Sequence, residues 1–413
     1  MAVTTPEQGS RHLAGASTGD RVLIGFADAL AAPEAAWSLL ESGLSVTAFA
    51  RRGSRPPIRR CRGLEIVEVA PPERDLQATL ADLQAVVQDG GYRAVMPLND
   101  PAVWICSQLA ALDTDVAIAG PTGARATLAL DKRLQLEAAA RAGFNVPPTL
   151  CAETVDDVLG LANNLPVALK PACPVIDRGG RLVRDRSYMC GDRAELDAAA
   201  HRWDGAGPML AQPLLDGVGE GLFGLAARDG LIALSAHRRV RMMNPQGSGS
   251  SACVSVAVDP ELAACAERML GDVGWQGMFM LEFLRDTDGL PWFMELNGRT
   301  WGSMALARRS GLEYPAWAIR QLAEPALEPV FPPLREGQVC RHLGRELVHL
   351  LMVLRGPKSV ALTNWPSRWR TLREVLRVGR GEGWYNWRRS DWRLFLDDAI
   401  RTVSSEVAKK GKA

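Results

Sequence analysis

Apolar and polar positions change period along the chain, and the changes divide it. Residues 21–53, RVLIGFADALAAPEAAWSLLESGLSVTAFARRG, run as strand, loop, helix and strand, a βαβ unit. YRAVMPLND, a helix from Pro101 to about Leu112, and DVAIAGPT extend the pattern into an open α/β domain over residues 21–125. The first turn lacks Gly-x-Gly-x-x-Gly, so the domain reads as a scaffold or as one with a site at strand ends such as Asn99 and Asp100. ARATLALDKRLQLEAAARAGFNVPPTL then predicts a single helix carrying Lys132 and closed by Gly143 and the Pro147–Pro148 pair. LPVALKPA is a short apolar strand ending in Lys170. The following CPVIDRGGRLVRDRS, with Gly179 and Gly180, predicts a mobile loop between two strands that suits a phosphate cover.

The sharpest pattern is GMFMLEFLRDTDGLPWFMELNGR, two strands around Asp288-Gly289, a dipeptide that favours a type I′ turn. Counting outward from that turn, Thr287 faces Leu290, Leu284 faces Phe293 and Glu282 faces Glu295. Glu295, Asn297 and Arg299 alternate, so they share one face of their strand. Opposed side chains have Cβ atoms about 4.5–5.5 Å apart, where two carboxylates repel unless a cation lies between them. Two carboxylates and an amide oxygen form a hard donor set suited to Mg²⁺ or Mn²⁺, and Mg²⁺ is usually shared with substrate phosphates. The alternative is a solvated face on which Arg299 neutralises the pair. A one-residue slip would turn one carboxylate away.

The chain has 413 residues, 47% of them hydrophobic, enough for two or three domains. Its eight cysteines have no Cys-x-x-Cys spacing, which fits unpaired thiols in a reducing cytoplasm rather than a disulfide framework or a zinc site. The first twenty residues are Gly/Ser/Thr-rich without an apolar core, and no run of 18 apolar residues follows. That pattern predicts a disordered tail over 1–20, no signal peptide and no membrane span. The net charge of +1 hides an asymmetry, because residues from Arg335 onward hold 17 Lys and Arg against 8 Asp and Glu. Basic residues are 42 Arg and only 6 Lys, and within the first 357 positions Lys132 and Lys170 are the only lysines. A chain that otherwise uses Arg has used Lys where a compact ammonium differs from a planar fork, as it does among phosphate oxygens.

The order of these motifs over roughly residues 20–325 resembles the ATP-grasp superfamily. Its pattern reads here as Asp131-Lys132, GFNVP, VALKP, the hinge MLAQPLLDGVGEG, Glu282 and ELNGR. The resemblance implies an α/β pre-domain, an ATP-grasp domain over 126–330 with an antiparallel sheet, and ATP with Mg²⁺ or Mn²⁺ as cofactors. It implies that Lys132 and Lys170 hold ATP phosphates, that Glu282, Glu295 and Asn297 ligate the metal, and that Arg299 contacts the transferred phosphoryl group or an acyl phosphate. Relatives carry an acidic residue after the position of Gln212. This chain has Pro213, which leaves adenine recognition to the backbone around Gln212, Leu214 and Leu215. Glu220 matches a position used for ribose or substrate. On an extended strand His237, Arg239 and Arg241 share a face suited to a carboxylate or acyl phosphate.

The resemblance further implies an ADP-forming ligase that joins a small-molecule carboxylate to an amine through an acyl phosphate. The alternatives are a carboxylase or carbamoyl-phosphate-type enzyme, which the lack of a biotin carrier or glutaminase segment disfavours, and a nucleotide-binding module without turnover. Residues 331–413 predict a Trp/Arg-rich helical extension in which Trp365, Trp369, Leu372, Val375 and Leu376 follow helical spacing. Packing on the body or a homodimer contact fits that stripe better than a membrane surface or nucleic acid.

Overall fold

The computed structural model describes residues 20–112, 116–203, 207–245, 247–325, 332–362 and 364–408. Of the expected disordered tail, residues 1–19 lie outside the described residues. Strands β1 (Arg21–Gly25), β2 (Ser45–Arg51), β3 (Leu64–Val69), β4 (Tyr92–Pro97) and β5 (Ala117–Ile118) form a parallel sheet in the order β3-β2-β1-β4-β5. Helices α1 (Ala32–Glu41), α2 (Leu76–Gly90) and α3 (Asp100–Ala110) connect them. Parallel strands covered on both faces are apolar throughout. Leu23 accordingly packs with Phe49 and Val95, while Val22 and Ile24 pack with Ala48 and Met96. The strand order reverses between β1 and β4, and the crevice beyond the strand ends at such a point is where open sheets bind ligands. Asp100 stands there as the first residue of α3, beside Asn99, whose side chain caps that helix by accepting from the Ala102 N–H at 3.0 Å.

The single helix expected around Lys132 is two, α4 (Gly123–Leu130) and α5 (Lys132–Arg141). Asp131 takes an extended conformation (φ −131°, ψ 108°) and its carboxylate accepts from the Arg133 N–H, so it caps α5 instead of continuing α4. Lys132 thereby becomes the first residue of a helix, with its own N–H bonded to the Ala172 carbonyl.

Next come β6 (Leu150–Ala152), β7 (Val167–Pro171), β8 (Ile176–Asp177), β9 (Leu182–Val183), β10 (Tyr188–Cys190) and β11 (Met209–Pro213). All but β8 and β9 form an antiparallel sheet in the order β10-β7-β11-β6. The hairpin β8-β9 carries Gly179 and Gly180, which the sequence presented as a mobile phosphate cover. It is docked on the first domain: Leu76 N–H donates to Gly180, Leu182 N–H donates to Pro72, and Val175 and Leu182 are buried with Val69 and Leu76. Two apolar side chains beside the glycines decide this, because they find a partner surface.

The largest sheet contains β12 (Gly217–Ala227), β13 (Gly230–Asn244), β14 (Ser248–Val256), β15 (Gly277–Asp286), β16 (Pro291–Asn297), β17 (Val339–Arg341) and β18 (Gly383–Trp384) in the order β16-β15-β12-β13-β14-β17-β18. Its pairings are antiparallel except β17-β18, so the C-terminal region contributes two strands to it. The helix Pro260–Asp272 covers one face through Leu262, Ala266, Met269 and Leu270, packed with Leu222, Phe279 and Leu281. No helix among the described residues is long and apolar enough to cross a membrane.

The C-terminal region is attached by charge as well as by strand pairing and apolar burial of Cys340, Tyr385 and Leu394. On the helix Arg368–Leu376 and just before it, the expected packing stripe is only partly covered: Trp365, Leu372 and Val375 are half-buried, whereas Trp369 is 82% exposed and Leu376 72%, and Thr371 is buried. The reason is Arg341, 1% exposed, whose guanidinium donates to the carbonyls of Glu374, Val375 and Arg377 at that helix's C-terminal end. These carbonyls have no partner inside the helix, and satisfying them fixes its orientation. Arg341 and Arg241 both bind Glu346, at 2.6 and 2.7 Å. Burial alone would raise the Glu346 pKa, but the two guanidinium groups hold it below the usual carboxylate value.

Removing the Glu346 charge would leave Arg241 without a counter-ion among the described residues and Arg341 with only Glu382, at 3.2 Å, and stranding a buried charge costs about 3–5 kcal/mol. Glu346→Gln should therefore lower the unfolding free energy by about that amount in urea and expose the segment between residues 355 and 368 to limited proteolysis. A loss under about 1 kcal/mol would show that the cluster does not anchor the region.

Candidate active site

The hairpin β15-β16 is built differently from the sequence expectation, yet it keeps the carboxylates together. Only Gly289 has a positive φ (+86°), so the turn is not type I′. Gly289 N–H donates to Asp286 and Asp286 N–H to Leu290, a three-residue loop of Thr287, Asp288 and Gly289. The Asp286 carboxylate accepts from the Asp288 and Leu290 N–H groups and from the Trp292 indole, which selects this loop. The extra loop residue shifts the pairing by one, so Leu284 faces Trp292 and Phe283 faces Phe293. An irregularity next to Glu282 then resets the register, and Glu282 does face Glu295.

Both carboxylates are held by cations of the chain itself. Lys132, at the start of α5, forms an ion pair with Glu295, and Arg239 on β13 binds Glu282 at 2.6 Å. Burial would raise the Glu295 pKa, but Lys132, with help from the Asn297 amide donating at 3.0 Å, holds it well below the carboxylate range. Burial likewise pulls Lys132 down, and Glu295 more than restores it. The contact is set by Gln135, one turn along α5. Its Nε2 donates to the Leu296 carbonyl at 3.0 Å and its Oε1 accepts from the Leu296 N–H at 2.9 Å. No sequence motif singled out Gln135; its place one helical turn after Lys132 was the available signal.

Lys170, next to last in β7, lies on the face that carries Leu210 and Gln212, away from Leu169 and Ala211, which pack against the helix Arg193–Trp203. Its ammonium donates to Gln212 Oε1 at 3.0 Å, and the Gln212 amide donates to Thr149 at 2.9 Å. Burial, reinforced by the Lys132 charge, pulls the Lys170 pKa down to about 8, although Glu295 and Glu282 oppose this. The hinge amide of Leu214 makes a long 3.4 Å bond to Pro166, and Leu215 follows it, both half-buried.

Arg299 leaves β16 toward the crevice of the first domain and binds Asp100 at 2.6 Å, with Arg184 on the same carboxylate at 3.5 Å. Burial would raise Asp100, but Arg299 and then Arg184 hold it down. Lys132, Lys170, Gln212, Glu282, Glu295, Asn297, Arg239 and Arg299 are thus joined by direct bonds or mutual electrostatic influence.

Two expected participants bind elsewhere, and a third stays in place but is neutral. β13 is irregular on either side of Arg241, and this sends its side chain to Glu346 rather than beside Arg239. His237 remains by Arg239 but is buried against Ser303 at 3.0 Å, and burial drives its pKa to about 3, so it is neutral. Glu220 alternates with Gly219 and Gly221, whose missing side chains leave room for Arg239 and the Phe223 ring. Its carboxylate therefore points to the other face, bound by Arg238 and Arg285 at 2.8 Å each.

A cavity of about 220 Å³ adjoins this cluster, lined among others by Glu282, Arg239, Arg299, His237, Ser303 and Arg345. Sequence reasoning missed Arg345, which lies on the helix Leu343–Arg355 beyond the motif-bearing region.

Residues 208–343 match the family described as ATP-grasp in the biosynthetic pathway with Ter operon. Among solved structures, an L-amino acid ligase from Bacillus licheniformis is similar at a TM-score of 0.57 and 17% identity over 78% of each chain. N5-carboxyaminoimidazole ribonucleotide synthetase in its ADP complex has a TM-score of 0.60 at 13% identity, over 82% of this chain and 86% of that one. The biotin carboxylase domain of 2-oxoglutarate carboxylase from Hydrogenobacter thermophilus, in complex with MgADP and bicarbonate, has a TM-score of 0.59 at 17% identity, over 78% of this chain and 73% of that one. No curated protein matches the sequence. Identities this low establish the fold, and the fold is that of ATP-grasp proteins.

The pairing of Lys132 with Glu295 has a measurable signature. Glu295→Gln or Lys132→Met alone strands a buried charge and should cost about 3 kcal/mol or more, whereas the double variant should recover much of that loss. A double-mutant cycle in urea should give a coupling above about 1 kcal/mol. Additive losses would mean that the two groups do not stabilise each other.

Proposed function

We propose that this chain, an ATP-grasp protein by its fold, is an ADP-forming ligase that activates a small-molecule carboxylate as an acyl phosphate and passes it to an amine. The observation that carries the reading is the convergence of Lys132 and Lys170, the only lysines in the first 357 residues, on the paired carboxylates Glu282 and Glu295. Two ammonium groups facing a hard oxygen set form a cradle for a polyphosphate and its metal.

The donor set fits Mg²⁺ or Mn²⁺ shared with phosphates rather than an all-protein cage: among the described residues no group of three or more His, Cys, Asp or Glu side chains is placed to hold a metal. Glu282, Glu295 and the Asn297 amide oxygen would hold the cation, which when bound neutralises charge between phosphate oxygens. Lys132 and Lys170 then exchange their present partners, Glu295 and Gln212, for phosphate oxygens. The Leu214 and Leu215 amides and the apolar strand β11 receive the adenine. A substrate carboxylate attacks the γ-phosphorus and ADP leaves; the amine attacks the resulting acyl carbon and phosphate departs. Arg299, oriented by Asp100, and Arg239, oriented by Glu282, supply fixed positive charge where it develops. Glu220 and Arg241 commit their charges to Arg238, Arg285 and Glu346, and His237 is neutral, so none of the three carries a step in this scheme. A homodimer contact through the C-terminal extension remains part of the proposal.

The defining experiment measures ADP and phosphate release with MgATP over a panel of carboxylates and amines, with bicarbonate as a separate arm. Release that needs both a carboxylate and an amine supports the ligase. Release with bicarbonate alone would move the assignment to the carboxylase reading, and nucleotide binding without release to a non-catalytic module.

Lys170 adds a pH test. Phosphate favours its ammonium, so the bound pKa rises from about 8 toward the ordinary lysine value. ATP binding should therefore take up protons between about pH 8 and 10, and affinity should fall as pH rises through that window. Calorimetry in two buffers of different ionisation enthalpy reads the uptake, which Lys170→Met should abolish. Lys170→Arg keeps the charge but should reduce ATP affinity or turnover; unchanged kinetics across an ATP titration would remove Lys170 from the site.

A further inference from the structure

We propose that the cavity beside the nucleotide cleft binds a substrate carboxylate that the reaction does not consume, docked on Arg345. The substrate pair would then contain an amino acid or a dicarboxylate rather than a monofunctional acid and a simple amine. The inference rests on the ligase reading for the role of the cleft and on separate observations for Arg345.

The first observation is the distribution of counter-ions. Arg239 has Glu282 and Arg299 has Asp100, while Arg241 and Arg341 share Glu346. Among the described residues no carboxylate lies within ion-pair distance of Arg345. The nearby Asp398 is taken by His342 at 3.0 Å and by the Asn386 amide at 2.8 Å. A guanidinium presents five N–H donors, and Arg345 spends one on the Ser250 carbonyl at 3.0 Å. His237 is neutral and cannot compensate or compete.

The second observation is that the backbone makes room for this side chain. A Cβ on Gly249 would sit 2.8 Å from Arg345 Nη1, and Gly249 has φ +54°, a conformation that other residues rarely adopt. A cationic fork kept partly out of water without an anion is unfavourable, and it matches a carboxylate in bidentate geometry.

Location and size narrow the ligand. The cavity shares Glu282 and Arg299 with the proposed transfer site, so an anion on Arg345 lies beside the reacting groups. Its volume of about 220 Å³ is below the roughly 300–1,000 Å³ of pockets for drug-sized ligands, which suits a molecule of amino-acid size. The anchored carboxylate can belong to the acid being activated, as a second acidic group, or to the amine, as an amino acid's own carboxylate.

Thermal unfolding of wild type and Arg345→Gln, with MgADP, succinate, L-alanine and alaninamide as probes, tests this. Saturating carboxylate should raise the wild-type Tm by roughly 2 °C. Succinate active alone assigns the anchored group to the acid; L-alanine active where alaninamide is not assigns it to the amine. In Arg345→Gln the carboxylate shift should vanish, the MgADP shift should persist, and the ligand-free Tm should equal or exceed that of wild type, because an uncompensated charge has gone. A variant that keeps the carboxylate shift, or is less stable than wild type without ligand, overturns the proposal in favour of a structural arginine. So does a wild type that responds to MgADP but to neither carboxylate. Loss of the MgADP response in wild type would instead count against the nucleotide reading alone, since the carboxylate response is read separately.

Discussion

Two carboxylates on adjacent strands, Glu282 opposite Glu295, set the condition that the rest of the site must meet. Side by side and half-buried, two carboxylates repel each other unless positive charge lies close by. The chain meets the condition from two directions, with Lys132 from the start of α5 and Arg239 from β13. Each cation needs its own support: Asp131 starts α5 at the right residue, Gln135 ties it to β16, and Gly219 leaves the space that Arg239 occupies. Without ligand the cluster is internally balanced, and a metal polyphosphate can replace one set of partners with another.

The same logic joins the parts of the molecule. Arg299 reaches from the hairpin to Asp100 at the point where the order of the parallel sheet reverses, so the first domain contributes a carboxylate to the site. Glu346 gathers Arg241 and Arg341, and Arg341 in turn holds the carbonyl end of the helix Arg368–Leu376. The C-terminal region is therefore structurally continuous with the large sheet, and it carries Arg345 into the cavity. The Trp/Arg-rich extension, expected to pack on the body or at a homodimer contact, supplies part of a wall of the cavity.

Sequence patterns sufficed where the physics is local. Apolar runs gave β1, β2 and β4, alternation gave the polar face of β16, and the scarcity of lysine pointed to Lys132 and Lys170 before any fold was in view. The motif order identified the ATP-grasp fold, because spacing between strands and ligands is itself a fold constraint. Glu282 and Glu295 were paired correctly by way of a turn that does not form. A three-residue loop and a later irregularity shift the register in opposite senses and cancel.

Tertiary structure alone decided which charges meet. Arg241 and Arg239 are two apart on one strand, yet an irregular pairing sends one to Glu346 and leaves the other on Glu282. Glu220 and Gly221 are neighbours, and alternation puts the Glu220 carboxylate on the face of Arg238 and Arg285 rather than on that of Arg239. Trp369 and Leu376 have helical spacing suited to burial, but carbonyls bound by a distant arginine turn them outward. Hydrophobic periodicity determines which elements form, because it acts through near neighbours on the chain. The partner of a buried charge is not set by nearness along the chain, since Lys132 meets Glu295 163 positions away, and only the packed structure brings the two together.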